Sequence, residues 1–87
     1  MSAKWYRIET NEKPMVHKIE AFSDEQAEWF FKRRMNEIVK KDSRIKKGTL
    51  TSCILVDSKT GKKLMSAVFK KNKVGAWWAS FEGTEES

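Results

Sequence analysis

Two tryptophans, Trp77 and Trp78, follow directly on a cluster of lysines near the end of the chain, in the stretch KKNKVGAWW. Indole rings stack on nucleic-acid bases, and lysine ammonium groups neutralise phosphates. The chain of 87 residues contains four tryptophans, which is a large share for so short a sequence. This combination of residue types raises the question of whether the chain carries a binding surface for an anionic partner in addition to a hydrophobic core.

The positive charge is concentrated in the middle of the chain. The formal net charge is +6, but residues 32–73 alone carry fourteen basic and three acidic residues, while the segments on either side are mildly acidic. A basic band of this kind is the electrostatic footprint of a protein that binds a polyanion, most often nucleic acid. The alternative is that the lysines only keep the protein soluble.

The residue types that catalysis requires are scarce. Cys53 is the only cysteine and His17 the only histidine, so an internal disulfide and a cysteine–histidine zinc site are excluded. His17 falls in a predicted strand, and Cys53 falls in an apolar run, which favours structural roles for both side chains. No glycine-rich phosphate loop is present. We therefore expect no enzymatic activity, no catalytic or metal-binding residue and no cofactor.

The same composition bears on where the protein works. No apolar run is long enough to cross a membrane, and the first residues lack the apolar stretch of a secretory signal. A single cysteine gives no disulfide framework of the kind found in small secreted domains. These features predict a cytoplasmic protein that does not bind membranes.

The elements that must position the charged and aromatic groups follow from hydrophobic periodicity. Ser23 followed by Gln26 matches a capping box, and Lys40 and Lys41 suit the negative end of a helix dipole, so a helix is predicted over 24–41. Alternating and apolar stretches predict strands over 5–9, 15–22, 50–57, 62–70 and 76–82.

These elements predict one α+β domain over residues 1–82, with the order β-β-α-β-β-β and a basic loop over 42–48. The strands are expected to form an antiparallel sheet with the helix packed on one face. Residues 83–87 are predicted to be a flexible acidic tail.

One helix covers only one face of such a sheet, so the other face needs an explanation. Side chains alternate between the two faces of a strand, and Trp77 and Trp78 therefore cannot both enter the same core. The same alternation directs Trp5 away from the helix if Tyr6 faces it. A second copy of the chain, nucleic acid or another protein would fit the uncovered face. The number of large aromatics favours a homodimer.

A helical wheel separates an apolar side of the predicted helix from a basic side. The apolar side comprises Ala27, Phe31, Met35 and Ile38, and the opposite side comprises Trp29, Lys32, Arg33, Asn36 and Lys40. Trp29 thus lies among cations. It is interpreted either as an aromatic lying on the surface or as a stacking residue in a contact surface.

The candidate nucleic-acid-binding residues are cations of the basic band and aromatics beside them. They are Lys32, Arg33 and Lys40 on the helix, Arg44, Lys46 and Lys47 after it, Lys70, Lys71 and Lys73 before the last strand, and Trp29 with either Trp77 or Trp78. Lysine acts as a point charge rather than a bidentate fork, which predicts contacts to the nucleic-acid backbone with little sequence reading. RNA is favoured because sheet proteins that bind single-stranded RNA stack its bases on exposed aromatics. The alternative is a protein-protein inhibitor or adaptor whose basic side meets an acidic surface of its partner.

In size, charge and layout, the whole chain resembles the small accessory proteins of tailed bacteriophages. Some of those proteins neutralise host defence toxins, and a basic, RNA-binding inhibitor of an RNA-antitoxin-regulated endoribonuclease toxin is similar in size and charge. The resemblance includes no residue-level motif: the chain has no RNP aromatic signature, no GXXG loop and no zinc-finger spacing. It implies RNA binding and an inhibitory, antitoxin-like role, and it assigns no functional residue.

Overall fold

The computed structural model describes residues 2–12 and 17–83 of the chain. Its elements are β1 (Lys4–Thr10), β2 (His17–Ala21), α1 (Asp24–Lys41), α2 (Ser43–Lys47), β3 (Ser52–Asp57), β4 (Lys63–Lys71) and β5 (Trp77–Gly83). The strands form one antiparallel sheet in the order β2-β1-β3-β4-β5, and α1 packs across one face of it. The predicted α+β class, with one main helix on an antiparallel sheet, is confirmed.

The segment after α1 differs from the prediction of a basic loop over 42–48, because Ser43–Lys47 form the short helix α2. Asp42 separates the two helices. Its backbone N–H donates to the last turn of α1 at 2.7 Å, and its carboxylate accepts from the Arg44 N–H at 3.0 Å, which caps α2. Gly48 ends α2 in the left-handed conformation, with φ of 81°, where a residue without Cβ is favoured.

Several strand boundaries also differ by one or two residues: β1 is Lys4–Thr10 rather than 5–9, β2 ends at Ala21 rather than at Phe22, β4 is Lys63–Lys71 rather than 62–70, and β5 begins at Trp77 rather than at Ala76. β3 begins at Ser52 rather than at Leu50, and Gly83 is the last residue of β5 rather than the first residue of a tail. The remainder of the predicted tail, residues 84–87, and residues 15 and 16 of the predicted second strand lie outside the described part of the chain.

Helix α1 begins and ends where the sequence predicts. The Ser23 hydroxyl accepts from the Gln26 N–H at 3.1 Å, and the Gln26 side chain accepts from the Phe22 N–H at 2.8 Å, so the cap is reciprocal. The buried residues of the helix are Ala27, Phe31, Met35 and Val39, with Phe30 and Ile38 half-buried at the edges. The core therefore lies between this side of α1 and the sheet.

The strand register sorts the aromatic side chains between the two sheet faces. Tyr6 is buried beneath α1, and Trp77 is half-buried against the same core. Trp5 and Trp78 lie on the opposite side, which we term the open face, and their exposed fractions are 52% and 46%. The prediction that Trp77 and Trp78 do not both enter the same core is confirmed.

Asp57 is the one charged side chain that is buried among the described residues. Its carboxylate accepts from the backbone N–H groups of Lys59 at 2.9 Å and Thr60 at 3.3 Å, and it pairs with the Lys4 ammonium at 3.1 Å. Desolvation by itself would raise the pKa of Asp57, but the ammonium and the two N–H donors outweigh it and leave the pKa below its ordinary value. This carboxylate therefore fixes the β3–β4 turn and the start of β1.

The depressed pKa of Asp57 predicts a pH-dependent contribution to stability. Because the folded state binds this proton more weakly than the unfolded chain, the contribution is present at neutral pH and is lost as pH falls below about 4. We expect Asp57→Asn to be less stable than wild type at neutral pH and the difference to shrink in acid. Urea denaturation at several pH values measures this, with exposed Glu20→Gln as control. Parallel stability curves for wild type and Asp57→Asn would contradict it.

Candidate nucleic-acid interface

The antiparallel order brings three basic segments to one end of the sheet. The Leu50 N–H donates to the Arg44 carbonyl at 3.2 Å, and the Phe69 N–H donates to the Thr51 carbonyl at 3.1 Å, which ties α2 to the end of β4. Thr51 lies four residues after Lys47, so the chain places α2 within about 14 Å of β4. The C-terminus of α1 lies at the same end, because α2 follows it directly.

We term this region the lysine end. Its members are Lys40 and Lys41 in the last turn of α1, Lys46 and Lys47 in α2, and Lys70, Lys71 and Lys73 at the end of β4 and in the hairpin that follows. All are exposed, and within the described residues none has a carboxylate at salt-bridge distance. Like charges gathered in this way create a positive potential that attracts polyanions.

Arg44, also a predicted site residue, is paired with carboxylates, unlike the lysines of the lysine end. Its guanidinium donates to the Asp42 carboxylate at 2.6 Å and to the Glu12 carboxylate at 3.2 Å. The hydrogen bond to Asp42 is the main reason that the pKa of Arg44 lies above its ordinary value. Its charge is thus already neutralised, and Arg44 fixes α2 against the chain beyond β1 rather than presenting a free cation.

The hairpin between β4 and β5 is built around one asparagine. The Asn72 side chain accepts from the Val74 N–H at 3.0 Å and the Ala76 N–H at 2.9 Å, and Gly75 adopts φ of 85°. This arrangement gives the hairpin a defined shape. It places Lys73 and Val74 at the tip, where Val74 is 87% exposed.

Sequence reasoning missed Asn11, which positions the lysine end, and Lys41, which belongs to it. The Asn11 side chain accepts from the Thr51 and Ser52 N–H groups at 2.8 and 3.1 Å, and it donates to the Thr49 carbonyl at 2.9 Å. These bonds fix the segment between α2 and β3. Lys41 was assigned only to the helix dipole, although its place in the last turn of α1 was a signal that it joins the neighbouring cations.

The outer side of α1 extends the basic surface along the helix. This helix stripe comprises Trp29, Lys32, Arg33, Asn36 and Lys40, all of which are exposed. The Arg33 guanidinium lies over the Trp29 ring at 4.9 Å, and Trp29 itself is 53% exposed. From Trp29 to Lys40 the stripe spans about 17 Å at the rise of an α-helix. It joins the lysine end through Lys40.

Trp78 lies beside Lys70 of the lysine end but is separated from the helix stripe. It lies on the open face, with the Lys70 ammonium 5.8 Å from its ring centre, whereas the helix stripe lies beyond the helix on the other side of the sheet. The strand register separates Trp78 from Trp5 by roughly 30 Å. Trp77 packs against the core. The structure therefore does not bring the predicted stacking residues into one aromatic patch.

The Cys53 thiol is not activated as a nucleophile. Burial raises the pKa of the Cys53 thiol to about 11, so the thiol is protonated at neutral pH. His17 and Cys53 both line a cavity of about 180 Å³ between α1 and the sheet. Across residues 2–12 and 17–83, no three His, Cys, Asp or Glu side chains are grouped to hold a metal ion.

Neither helix in the described part of the chain has the length and apolar character needed to span a membrane. No family model, no curated protein and no solved structure matched the chain.

Proposed function

We propose that the protein binds single-stranded nucleic acid, with RNA favoured over DNA, through phosphate contacts at the lysine end. The observation that carries this proposal is the convergence of exposed lysines from α1, α2 and the β4–β5 hairpin, without salt-bridge partners among the described residues. The β4–β5 hairpin is distant in sequence from α1 and α2, yet its lysines lie at the same end of the sheet. Carboxylates in the same region, Asp42 and Glu12, are occupied by Arg44.

Trp29 is the stacking group of this surface. It is continuous with the lysine end along the helix stripe, and Arg33 already lies against its ring. A base stacked on an exposed aromatic contributes on the order of 1–3 kcal/mol irrespective of its identity. Lysine point charges and a single aromatic therefore support binding that follows the nucleic-acid backbone and discriminates weakly between sequences.

A biological role consistent with this activity is inhibition of a host defence system by a phage protein that binds the RNA component of a toxin complex. The size and charge of the chain support this role through the resemblance to basic phage inhibitors. The lysine end supplies a surface for the phosphates of such an RNA.

The salt dependence of binding tests the proposal. If about five of the lysines contact phosphates, the logarithm of the association constant for a mixed-sequence single-stranded RNA should fall with the logarithm of salt concentration with a slope near −3.5. Fluorescence anisotropy with a labelled oligonucleotide measures this slope. A slope shallower than about −1 would mean that fewer than two ion pairs form, and it would reject the proposal.

The second candidate function is a protein-protein inhibitor or adaptor that binds an acidic partner surface. It is favoured by Val74, an apolar side chain almost fully exposed at the hairpin tip beside Lys73. Polyglutamate separates the two functions, because it carries charge but no bases. RNA binding much tighter than polyglutamate binding at equal charge supports the nucleic-acid function, and equal binding supports the acidic protein surface.

A further inference from the structure

The outer edge of β5 is unpaired in the described part of the chain. β5 pairs with β4 along one side only, and no other described strand or loop hydrogen-bonds to its second side. Trp77, Ala79 and Phe81 point to the helix side, yet each is only half-buried. Ala67 and Phe69, the register partners of Phe81 and Ala79 on β4, are buried. Something added beside β5 would complete the burial of this row.

The other edge of the sheet, β2, is protected against such pairing. The open-face side chains of β2, Lys18 and Glu20, are both charged and exposed. Exposed charge on an edge strand is a usual means by which proteins block edge-to-edge association. β5 has seven residues, has no lysine or proline, and carries a charge only at Glu82.

We propose that a second copy of this chain pairs with the outer edge of β5, strand to strand and antiparallel, so that the two sheets become continuous. The pairing is centred on Ser80, which lies opposite Ser80 of the partner subunit. Symmetric dimers use the same patch on both copies, and an antiparallel edge pair has this symmetry.

This register is supported by side-chain size on the helix side. Centring the pair on Ser80 places Ala79 opposite Phe81 of the partner subunit, so a small side chain meets a large one on each side of the centre. The half-buried Phe81, which stacks edge-on against Phe31 with ring centres 6.1 Å apart, would then be covered. Facing pairs of this kind are the unit of sheet stabilisation.

Charge complementarity on the open face supports the same register. It places Trp78 opposite Glu82 of the partner subunit. On the other side of Trp78, Lys70 is its register partner on β4. Lys70 already contacts the Trp78 ring. The partner's Glu82 would thus face the indole of Trp78 and the ammonium of Lys70. The two-fold symmetry would form the same contact a second time on the other side of the axis. This contact gives Trp78 a protein partner and leaves Trp29 as the aromatic for nucleic acid.

The proposal also fixes how the two lysine ends are arranged. Because the paired strands run in opposite directions, the two lysine ends point away from each other along the strands. Both copies of α1 lie on the same side of the continuous sheet. The dimer therefore presents two separate basic surfaces rather than one joined surface.

Site-directed crosslinking tests the register. Ser80→Cys in a Cys53→Ala background should form a disulfide-linked dimer under mild oxidation, because a residue at the symmetry axis faces its own copy at a distance a disulfide can bridge. Glu82→Cys in the same background faces Trp78 of the partner subunit and should not crosslink. Ser80 is half-exposed on the open face, so the substitution is compatible with folding. Equal crosslinking of both variants would overturn the register.

A charge exchange tests the contact across the interface. Lys70→Glu should weaken self-association several-fold, and Lys70→Glu combined with Glu82→Lys should restore it. Within one subunit Lys70 lies opposite Trp78 and Glu82 lies opposite Ser66, so a rescue reports on the contact between subunits. Analytical ultracentrifugation without nucleic acid measures both variants. A monomeric wild type at high protein concentration, or no rescue by the double variant, would overturn the proposal. Neither result depends on whether the lysine end binds RNA.

Discussion

Charge reversal at Lys46 and Lys47 is expected to weaken the binding of single-stranded RNA about 10- to 100-fold near physiological salt. Losing two phosphate contacts accounts for roughly the first factor of ten, and repulsion between the new carboxylates and phosphate adds to it. The slope of the salt dependence should become shallower by about 1.4, because each contact to a single strand contributes about 0.7. Anisotropy titrations over a salt series give both quantities from the same samples.

The chain offers a matched control for this variant. Lys59 and Lys62 are exposed lysines in the β3–β4 turn, at the opposite end of the sheet. Lys59→Glu with Lys62→Glu changes the net charge by the same amount as the variant at the lysine end. If the protein only attracted RNA through its overall charge, the two double variants would weaken binding equally. A selective effect at Lys46 and Lys47 assigns the interface to the lysine end.

Local sequence signals determine the main helix and the alternation of the strands. Ser23, Gln26, Lys40 and Lys41 mark the two ends of α1 through capping and dipole effects that act over a single turn. The side-chain alternation of strands is equally local, and it is enough to send Trp77 and Trp78 to opposite faces. These features could therefore be predicted from the sequence.

Helix α2 was not predicted because its stabilisation comes from outside its own five residues. Its sequence, SRIKK, is mostly cationic and has no acidic residue in its first turn. Asp42 caps it, buried Ile45 anchors it to the core, and the Arg44 ion pair with Glu12 joins it to a distant segment. The Asp42 cap is local, but the contacts of Ile45 and the Arg44–Glu12 pair depend on tertiary structure, which periodicity does not reveal.

The composition of the lysine end follows from strand order, which the sequence also leaves open. Lys46 and Lys70 lie at the same end of the sheet because β3 lies between β1 and β4, so that the segment after α2 runs beside the end of β4. The same candidate residues in another strand order would be dispersed. The charge band was visible in the sequence, whereas its division into a lysine end, a helix stripe and a neutralised Arg44 required the structure.

The largest loss of stability is expected from Phe31→Ala, at about 3–5 kcal/mol. Phe31 is fully buried at the middle of α1, and its ring meets Phe81 edge-on, so it connects the helix to edge strand β5. Truncation removes the apolar contact of a whole ring and leaves a cavity between the two layers of the fold. For a domain whose free energy of unfolding is on the order of 5–10 kcal/mol, this loss would leave the folded state only marginally stable.

Phe22→Ala is the matched control, because Phe22 is 60% exposed just before α1 and the chemical change is the same. Its cost should stay below about 1 kcal/mol, as is usual for surface truncations. Urea denaturation followed by circular dichroism at one fixed protein concentration measures both, since self-association would make stability concentration-dependent. Equal losses for the two variants would mean that α1 does not depend on Phe31 for its packing on the sheet. A loss confined to Phe31→Ala would show that the buried ring of Phe31 holds α1 on the sheet.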